Sequence, residues 1–303
     1  MGTPDFSVPT LEKLYSDKDI ELTYVVTKND TRSKRGQNIN YSEIKKKALE
    51  LNLNILQPLK IKEDIYVIDK LKECHPDFIV VVAYGQILSK EILDIPKFAC
   101  INGHASLLPK YRGASPIQSA ILNGDTITGT TTMLMDEGLD TGYILEQSKI
   151  NIDKKETSDS LFEKLSHLTA DLVIHTIKNF NIIKRTKQDD SKSTKSKIIK
   201  KEFGEIDFNN ETTVDVDRKI RAYTSWPSAY FIINNVQYKI FDVDICSDNI
   251  SLNSAIKFSE NIYIIKNEIY AKCKDGFIRI NIIQKSGKNK LSAHDFVNGL
   301  KLN

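Results

Sequence analysis

The sequence predicts an α/β fold in two parts: a doubly wound, Rossmann-like domain with a mostly parallel sheet, followed by a small β-barrel of the oligonucleotide-binding type. Three observations predict it. Apolar, β-branched runs alternate with helical patterns through the first half, a polar segment without periodicity follows, and the remainder holds short, closely spaced strand-like runs. A chain of 303 residues, 40% of them hydrophobic, has material for two such cores.

Two runs of the first half, 22–26 and 78–83, are apolar on both faces, as strands of a parallel sheet covered on two sides are. A third run, over 98–101, leads into Asn102. Ser115-Pro116 opens a later helix, because serine is a good N-cap and proline fits the first helical position. Helical patterns also lie at 8–15, 41–51 and 65–74.

The first residues have the composition of a strand-to-helix loop, with Gly2 and Pro4 ahead of the first helical pattern. A doubly wound domain ordinarily begins with a strand that becomes central in its sheet. We therefore expect that central first strand to be missing from this sequence.

The polar segment over 184–201 predicts a linker. We accordingly place a catalytic domain at 1–183 and a β-barrel domain at 202–303. In the second domain a helix is expected at 214–223, and strands at 229–233, 238–243, 262–265, 269–273 and 277–283.

Composition limits the class of protein. No run approaches the roughly 20 apolar residues of a membrane helix, and the N-terminus lacks the basic start and apolar stretch of a signal peptide, so a cytoplasmic protein is expected. The four cysteines form no CxxC pair and have no histidines at ligand spacing. They predict reduced thiols, with neither disulfides nor a metal site.

Charge divides unequally along the chain. Up to Phe180 there are 22 basic and 25 acidic residues, and after it 21 basic and 15 acidic, so the two parts carry −3 and +6. The positive second part indicates a polyanionic partner. Lysine-rich surfaces are also common without one, and charge alone leaves both interpretations open.

Asn102-Gly103-His104 ends the third apolar run. Side chains two apart on a strand face the same side, so Asn102 and His104 converge at the carboxyl end of a parallel strand, where open α/β sheets bind ligands. An asparagine amide can donate to a developing oxyanion, and a histidine can exchange a proton near neutral pH. The alternative for such a histidine is a structural hydrogen bond.

Two downstream segments decide between these alternatives. Ser-Leu-Leu-Pro-Lys-Tyr-Arg-Gly-Ala-Ser-Pro covers 106–116, and Met-Asp-Glu-Gly-Leu-Asp-Thr-Gly covers 135–142. With Asn102 and His104 they resemble the signature of the folate-dependent formyltransferases. The resemblance implies that Asn102, His104 and Asp140 are the catalytic residues. It implies that the folate pocket includes Ser106, Leu107, Leu108 and Pro109.

The resemblance extends over nearly the whole chain and is greatest to members of the family that act on methionyl-tRNA. It implies 10-formyltetrahydrofolate as the co-substrate, no metal, charged initiator tRNA as the acceptor and a second domain that holds tRNA. A monomer without membrane association is expected. The matching segments outside the signature are 2–9, 84–88, 221–223, 226–227, 287–288 and 292–299.

The loop over 30–37 is basic and follows the strand expected at 22–26. Most such runs are solvated loops. The resemblance implies that Arg35 enters the tRNA acceptor end, where cationic side chains on a loop would neutralise phosphates.

Two features depart from the family pattern. Gly103 replaces an apolar residue, which is expected to loosen the strand. Thr194-Lys195-Ser196-Lys197 stands where Tyr-Ala-Pro-Lys is common, which is expected to alter how the two domains dock. Neither departure is expected to touch the catalytic residues.

Other functions fit less of the sequence. A nucleotide-linked amino sugar or a purine-pathway amine would keep the chemistry with another acceptor; the second domain disfavours the purine enzymes, and the basic loop favours tRNA over the sugar. A non-catalytic RNA-binding module would be expected to lack some of Asn102, His104 and Asp140. A dehydrogenase would be expected to have G-x-G-x-x-G after a strand, and no such motif occurs.

Overall fold

The computed structural model describes residues 1–32, 39–247 and 250–300, and the chain divides into two compact units. The first unit comprises Met1–Pro116, Ile127–Asn151 and Phe162–Ser196, and the second comprises Ile117–Thr126, Ile152–Leu161 and Lys197–Asn303. Among the described residues, every helix is too short or too polar to cross a lipid bilayer.

The described residues form eight α-helices. They are α1 (Val8–Ser16), α2 (Glu43–Glu50), α3 (Ile65–Glu73), α4 (Lys90–Leu93), α5 (Pro116–Leu122), α6 (Ser158–Asn179), α7 (Thr213–Ala222) and α8 (Ala293–Asn298). Several begin at the caps that their sequences provide. The Ser42 side chain accepts from Lys45 N at the start of α2, and Thr212 and Asp215 form a reciprocal capping box at the start of α7.

Ten strands belong to the first unit. They are β1 (Val25–Val26), β2 (Thr31–Arg32), β3 (Ile39–Asn40), β4 (Ile55–Leu56), β5 (Phe78–Val82), β6 (Ala99–His104), β7 (Arg112–Gly113), β8 (Ile127–Leu134), β9 (Ile144–Asn151) and β10 (Lys195–Ser196). The main sheet has the order β5-β6-β8-β9, in which β5 and β6 are parallel and the other pairs antiparallel. β1 and β4 form a separate parallel pair.

A two-residue bridge lies between β1 and β5, where a central first strand is expected. Gly2 N donates to Val26 O at 3.0 Å, and Val82 N donates to Met1 O at 2.9 Å. A cavity of about 490 Å³ adjoins this bridge and is lined by residues of both strands. Among the described residues, Met1 and Gly2 thus continue the parallel arrangement between β1 and β5.

Sequence patterning did not predict the β8–β9 hairpin, which completes the main sheet and whose connection includes Asp140. β8 is rich in threonine, with Thr130, Thr131 and Thr132 all fully buried. Their hydroxyls need partners in the interior, and Thr130 and Thr132 find them in Thr169 and Thr176 of α6. Buried threonines pass for a polar loop in a hydrophobicity pattern, although their β-branched shape favours strands.

The second unit is built on an antiparallel half-barrel sheet, as the short strands predict. Its order is β11-β12-β16-β15-β14-β13, with β17 paired to β16. Its core includes Ile240, Ile264 and Ile280, which pack with Ile220 of α7 and Phe296 of α8. The strands are β11 (Ala229–Ile233), β12 (Val236–Ile245), β13 (Ile256–Lys257), β14 (Ile262–Ile265), β15 (Glu268–Lys272), β16 (Phe277–Lys285) and β17 (Leu291–Ser292).

Gly103 is paired on both sides of β6, with Val82 of β5 and Thr132 of β8, and neighbouring side chains occupy the space that a larger residue would take. A Cβ at this position would lie 2.7 Å from Thr169 Cγ2 and 3.2 Å from Val82 Cγ2. Helix α6 therefore approaches the strand at this glycine more closely than a side chain would allow.

We expect Gly103→Ala to destabilise the protein by about 1–3 kcal/mol, because the added methyl group overpacks the contact with Thr169. Thr169→Ser removes the opposing methyl group and keeps the hydroxyl that lies 2.8 Å from Thr130 Oγ1. The double variant should therefore lose less stability than the two single variants together. Urea unfolding measures all three.

Gly276→Ala is the matched control, because a Cβ there would meet only Thr213 Cγ2, at an ordinary 3.6 Å. A Gly103→Ala variant as stable as Gly276→Ala, or strictly additive effects of Gly103→Ala and Thr169→Ser, would contradict this account of the packing.

Candidate functional site

Strand β6 and the β8–β9 connection bring the three side chains predicted to be catalytic into one place. Asn102 Nδ2 lies 3.5 Å from Asp140 Oδ1, and His104 Nδ1 lies 3.7 Å from Asp140 Oδ2. Asn102 and His104 are 9% and 6% exposed. The side-chain alternation of β6 accounts for the convergence of the amide and the imidazole, while the hairpin supplies the carboxylate from about forty residues further along.

A backbone carbonyl fixes the His104 ring. Its Nε2 lies 3.0 Å from Tyr111 O, and because a carbonyl only accepts hydrogen bonds, Nε2 carries a proton. Nδ1 is then the nitrogen available for proton exchange, and it faces Asp140. Nδ1 lies at an ion-pair distance from Asp140 that is too long for a hydrogen bond, so the hydrogen bond with Tyr111 is the contact that orients the ring.

Asp140 has a left-handed backbone, with φ of 55°, which is uncommon for a residue other than glycine. Its side chain accepts a hydrogen bond from Gly113 N at 2.7 Å. Its backbone carbonyl accepts from Gln188 Nε2 at 2.9 Å, and Gly142 O accepts from the same nitrogen at 2.8 Å. The carboxylate is therefore held through both its backbone and its oxygens.

The loop predicted to line a folate pocket is held by the hydroxyl of Thr131. That hydroxyl donates to Ser106 O at 2.6 Å and accepts from Leu108 N at 3.1 Å. Gln147 Nε2 donates to Leu108 O at 2.8 Å, and the Leu108–Pro109 peptide is cis. Ser106 and Leu108 are buried, so their side chains anchor the loop in the interior of the protein.

Arg35 lies outside the described residues, whereas Asp30, at the start of the basic run over 30–37, is described. Asp30 Oδ2 pairs with Lys45 Nζ at 2.6 Å, and Asp30 Oδ1 accepts from Gln57 Nε2 at 2.9 Å. The hydrogen bonds from Gln57 and Lys45 lower the pKa of Asp30 below its usual value. Asp30 is therefore ionised at neutral pH and offsets the charge of Lys45.

Residues 186–196, which the sequence assigns to a linker, are hydrogen-bonded to the loop that carries Tyr111. Thr194 Oγ1 accepts from Tyr111 N at 2.8 Å, and Thr194 O accepts from Arg112 N at 2.9 Å. Ser196 Oγ donates to Arg112 O at 3.2 Å. The Thr194–Lys197 departure therefore lies one contact away from the residues predicted to be catalytic, since Thr194 binds Tyr111, whose carbonyl lies 3.0 Å from His104 Nε2.

Gln188 belongs to the same segment, and nothing in its polar surroundings in sequence marked it as part of a site. Its side chain is 6% exposed. A buried glutamine must satisfy its carboxamide within the protein, but that requirement becomes visible only once the fold is known.

Cys100 lies on β6 two residues before Asn102 and is buried. Burial raises the pKa of its thiol to about 12. The thiol therefore stays protonated at neutral pH and is a poor nucleophile. Within the described part of the chain, histidine, cysteine, aspartate and glutamate side chains form no group of three that could hold a metal ion.

Comparison with known families finds two matches along the chain. Residues 1–177 match the family described as formyl transferase, and residues 198–301 match that described as formyl transferase, C-terminal domain.

Among curated relatives, the methionyl-tRNA formyltransferase of Thermodesulfovibrio yellowstonii is 43% identical over 303 residues, covering 100% of this chain and 95% of its own. The methionyl-tRNA formyltransferase of Clostridium acetobutylicum is also 43% identical, covering 99% of this chain and 95% of its own.

Among solved structures, the sugar 3N-formyl transferase WlaRD, determined with dTDP and 5-N-formyl-THF, has a TM-score of 0.66 at 25% identity and covers 95% of this chain and 97% of its own. HypX of Aquifex aeolicus, in complex with tetrahydrofolic acid, has a TM-score of 0.57 at 18% identity, covering 82% of this chain and 43% of its own. At that identity the likeness to HypX shows the fold alone.

We expect Thr131→Val to destabilise the protein by about 1–3 kcal/mol, because it leaves Leu108 N and Ser106 O buried without their partner. It should also accelerate hydrogen exchange at the Leu108 amide, measured on the native protein. Thr132→Val is the matched control, since its hydroxyl bonds Thr176 instead. Equal exchange at Leu108 in the two variants would refute the assigned role of Thr131.

Proposed function

Because the chain belongs to the formyl transferase family, we propose that it transfers the formyl group of 10-formyltetrahydrofolate to the α-amino group of methionyl initiator tRNA, giving formylmethionyl-tRNA for translation initiation. The observation that carries the proposal is the convergence of Asn102, His104 and Asp140 at the end of β6. The acceptor follows from relatives named methionyl-tRNA formyltransferase that are about as long as this chain and 43% identical to it.

Asn102 stabilises the oxyanion in this scheme. When the neutral amine attacks the formyl carbon, the carbonyl oxygen becomes negatively charged in a tetrahedral intermediate. A preorganised amide donor is worth most where such charge develops. The Asn102 nitrogen has two N–H groups, so its long contact with Asp140 leaves one for the oxyanion.

His104 and Asp140 act as a pair. Nε2 of His104 is committed to Tyr111 O, so Nδ1 is the atom that takes up and returns a proton. The carboxylate of Asp140, 3.7 Å away, offsets the positive charge of the protonated ring. The charged ring then assists Asn102 at the oxyanion.

The proton balance closes on the folate. The acceptor nitrogen forms its bond to the formyl carbon and gives up a proton, and N10 of the folate gains one as its own bond to that carbon breaks. The His104–Asp140 pair relays this proton. The products are the formylated amine and tetrahydrofolate, and no covalent enzyme intermediate is needed.

The remaining sequence expectations complete the proposal. The backbone of 106–109 shapes the folate pocket, and Arg35 contacts the tRNA acceptor end. The positive charge of the chain after Phe180 favours a polyanionic acceptor. One chain supplies all three side chains proposed to be catalytic, so a monomer suffices, and we infer a cytoplasmic location from the proposed role in translation.

A nucleotide-linked amino sugar is the alternative acceptor. The sugar 3N-formyl transferase matches nearly the whole chain, but at 25% identity against 43% for the tRNA enzymes. The tRNA acceptor is therefore favoured.

Incubation of the purified protein with labelled 10-formyltetrahydrofolate should transfer label to charged initiator tRNA in preference to charged elongator tRNA and to a dTDP-amino sugar. Binding of the initiator tRNA should weaken steeply with salt, because phosphate contacts release counterions. Labelling of the sugar but not of the tRNA would refute the acceptor assignment.

His104→Ala should lower kcat by about 10²–10⁴-fold, because it removes both the proton relay and the charged donor. His175→Ala is the control, since the His175 ring is exposed and pairs with Glu146. Steady-state transfer to charged initiator tRNA, with thermal unfolding as a check of folding, measures both. Substantial activity in a folded His104→Ala variant would remove His104 from the mechanism.

A further inference from the structure

We propose that Gln188 is a positioning residue that fixes Asp140 for the transfer step. The inference rests on the proposed function in one respect, namely that Asp140 acts on the reacting proton. In this scheme Gln188 does not contact the reacting atoms, and its influence passes through the backbone of Asp140.

Gln188 binds two backbone carbonyls, and both lie in the β8–β9 connection that carries the Asp140 carboxylate. Gln188 Nε2 donates to Asp140 O at 2.9 Å and to Gly142 O at 2.8 Å. Asp140 has the left-handed backbone, which is unfavourable for an L-residue and persists only when its surroundings hold it. The side-chain amide of Gln188 therefore restrains the backbone at Asp140, the residue with the unfavourable conformation.

Arg112 determines which end of the Gln188 carboxamide faces this loop. Arg112 Nε and Nη2 lie 3.0 Å and 2.8 Å from Gln188 Oε1. A guanidinium can only donate, so the carboxamide oxygen must face Arg112 and the nitrogen must face Asp140. The orientation of the amide is thus fixed by chemistry.

Arg112-Gly113, Asp140 and Gln188 are each bonded to the other two. Arg112 is followed by Gly113, whose N–H donates to Asp140 Oδ2 at 2.7 Å. Asp140 is held at its carboxylate by Gly113 and at its carbonyl by Gln188, and Gln188 is held by Arg112. A displacement of Gln188 therefore reaches the carboxylate that faces Asn102 and His104.

Gln188 is not needed to attach residues 186–196 to the rest of the first unit. The segment has its own attachments at Thr186, Thr194 and Ser196, which bind Ile144, Tyr111 and Arg112 respectively. The amide group of Gln188 instead donates to the carbonyls of Asp140 and Gly142, on either side of Thr141. The expected consequence of losing them is a misplaced catalytic group, with the segment still attached.

Gln188→Glu tests the oxygen and the nitrogen of the carboxamide separately. It keeps the shape and the acceptor for Arg112 but replaces both donors by an oxygen that repels the two carbonyls. Gln188→Met is a second, uncharged variant that loses every hydrogen bond and keeps the volume. Asp189→Ala is the matched control, because the described partners of the Asp189 side chain, Ser191 and Lys192, both lie in its own turn.

We expect kcat for transfer to charged initiator tRNA to fall about 10–100-fold in both Gln188 variants, with KM for each substrate changed by less than about threefold. In ¹⁵N-histidine NMR spectra, the His104 ring signals should shift in both variants and stay unchanged in Asp189→Ala. His104→Ala identifies those signals by their loss.

A lower unfolding temperature in the Gln188 variants, with wild-type kcat and an unshifted His104 signal, would overturn the proposal and leave Gln188 a purely structural residue. Failure of the wild-type protein to formylate methionyl-tRNA would instead refute the proposed function. The NMR comparison needs no activity, so the two failures are distinguishable.

Discussion

The left-handed backbone at Asp140 is the constraint on which the site depends. The Asp140 carboxylate faces Asn102 and His104, and hydrogen bonds hold both the backbone carbonyl and the side chain of this residue. Unfavourable backbone conformations persist where the surrounding structure determines them in more than one way. Gln188 and Gly113 provide that redundancy.

Side-chain hydroxyls and an amide fix the loop and strands next to the site. Thr131 holds the 106–109 loop, Gln147 supports the same loop, and Thr130 links β8 to Thr169 of α6. The two threonines are buried, Gln147 is exposed, and each of the three has a defined partner. Such groups cost stability if one partner is lost, so together they specify a single arrangement of the loops rather than merely a compact one.

Sequence patterning predicted the part of the site that depends on local periodicity. Asn102 and His104 converge because strand side chains alternate, and that needs no knowledge of the rest of the fold. Asp140 could be assigned only through family resemblance, since its position depends on a hairpin whose buried threonines look polar. Gln188 escaped prediction entirely. Its segment lacks periodicity, and only long-range contacts with Arg112 and Asp140 distinguish it from a solvated connection.

The attachment of residues 186–196 to the first unit has a practical consequence for dissecting the molecule. The formyl transferase family match of the first part ends at residue 177, and a fragment cut there would retain Asn102, His104 and Asp140. It would nevertheless lack Gln188 and the strand β10 that pairs with β7. A fragment intended to keep the chemistry should therefore extend through Ser196. A shorter fragment could be inactive because it lacks Gln188 and β10, although all three residues proposed to be catalytic are present.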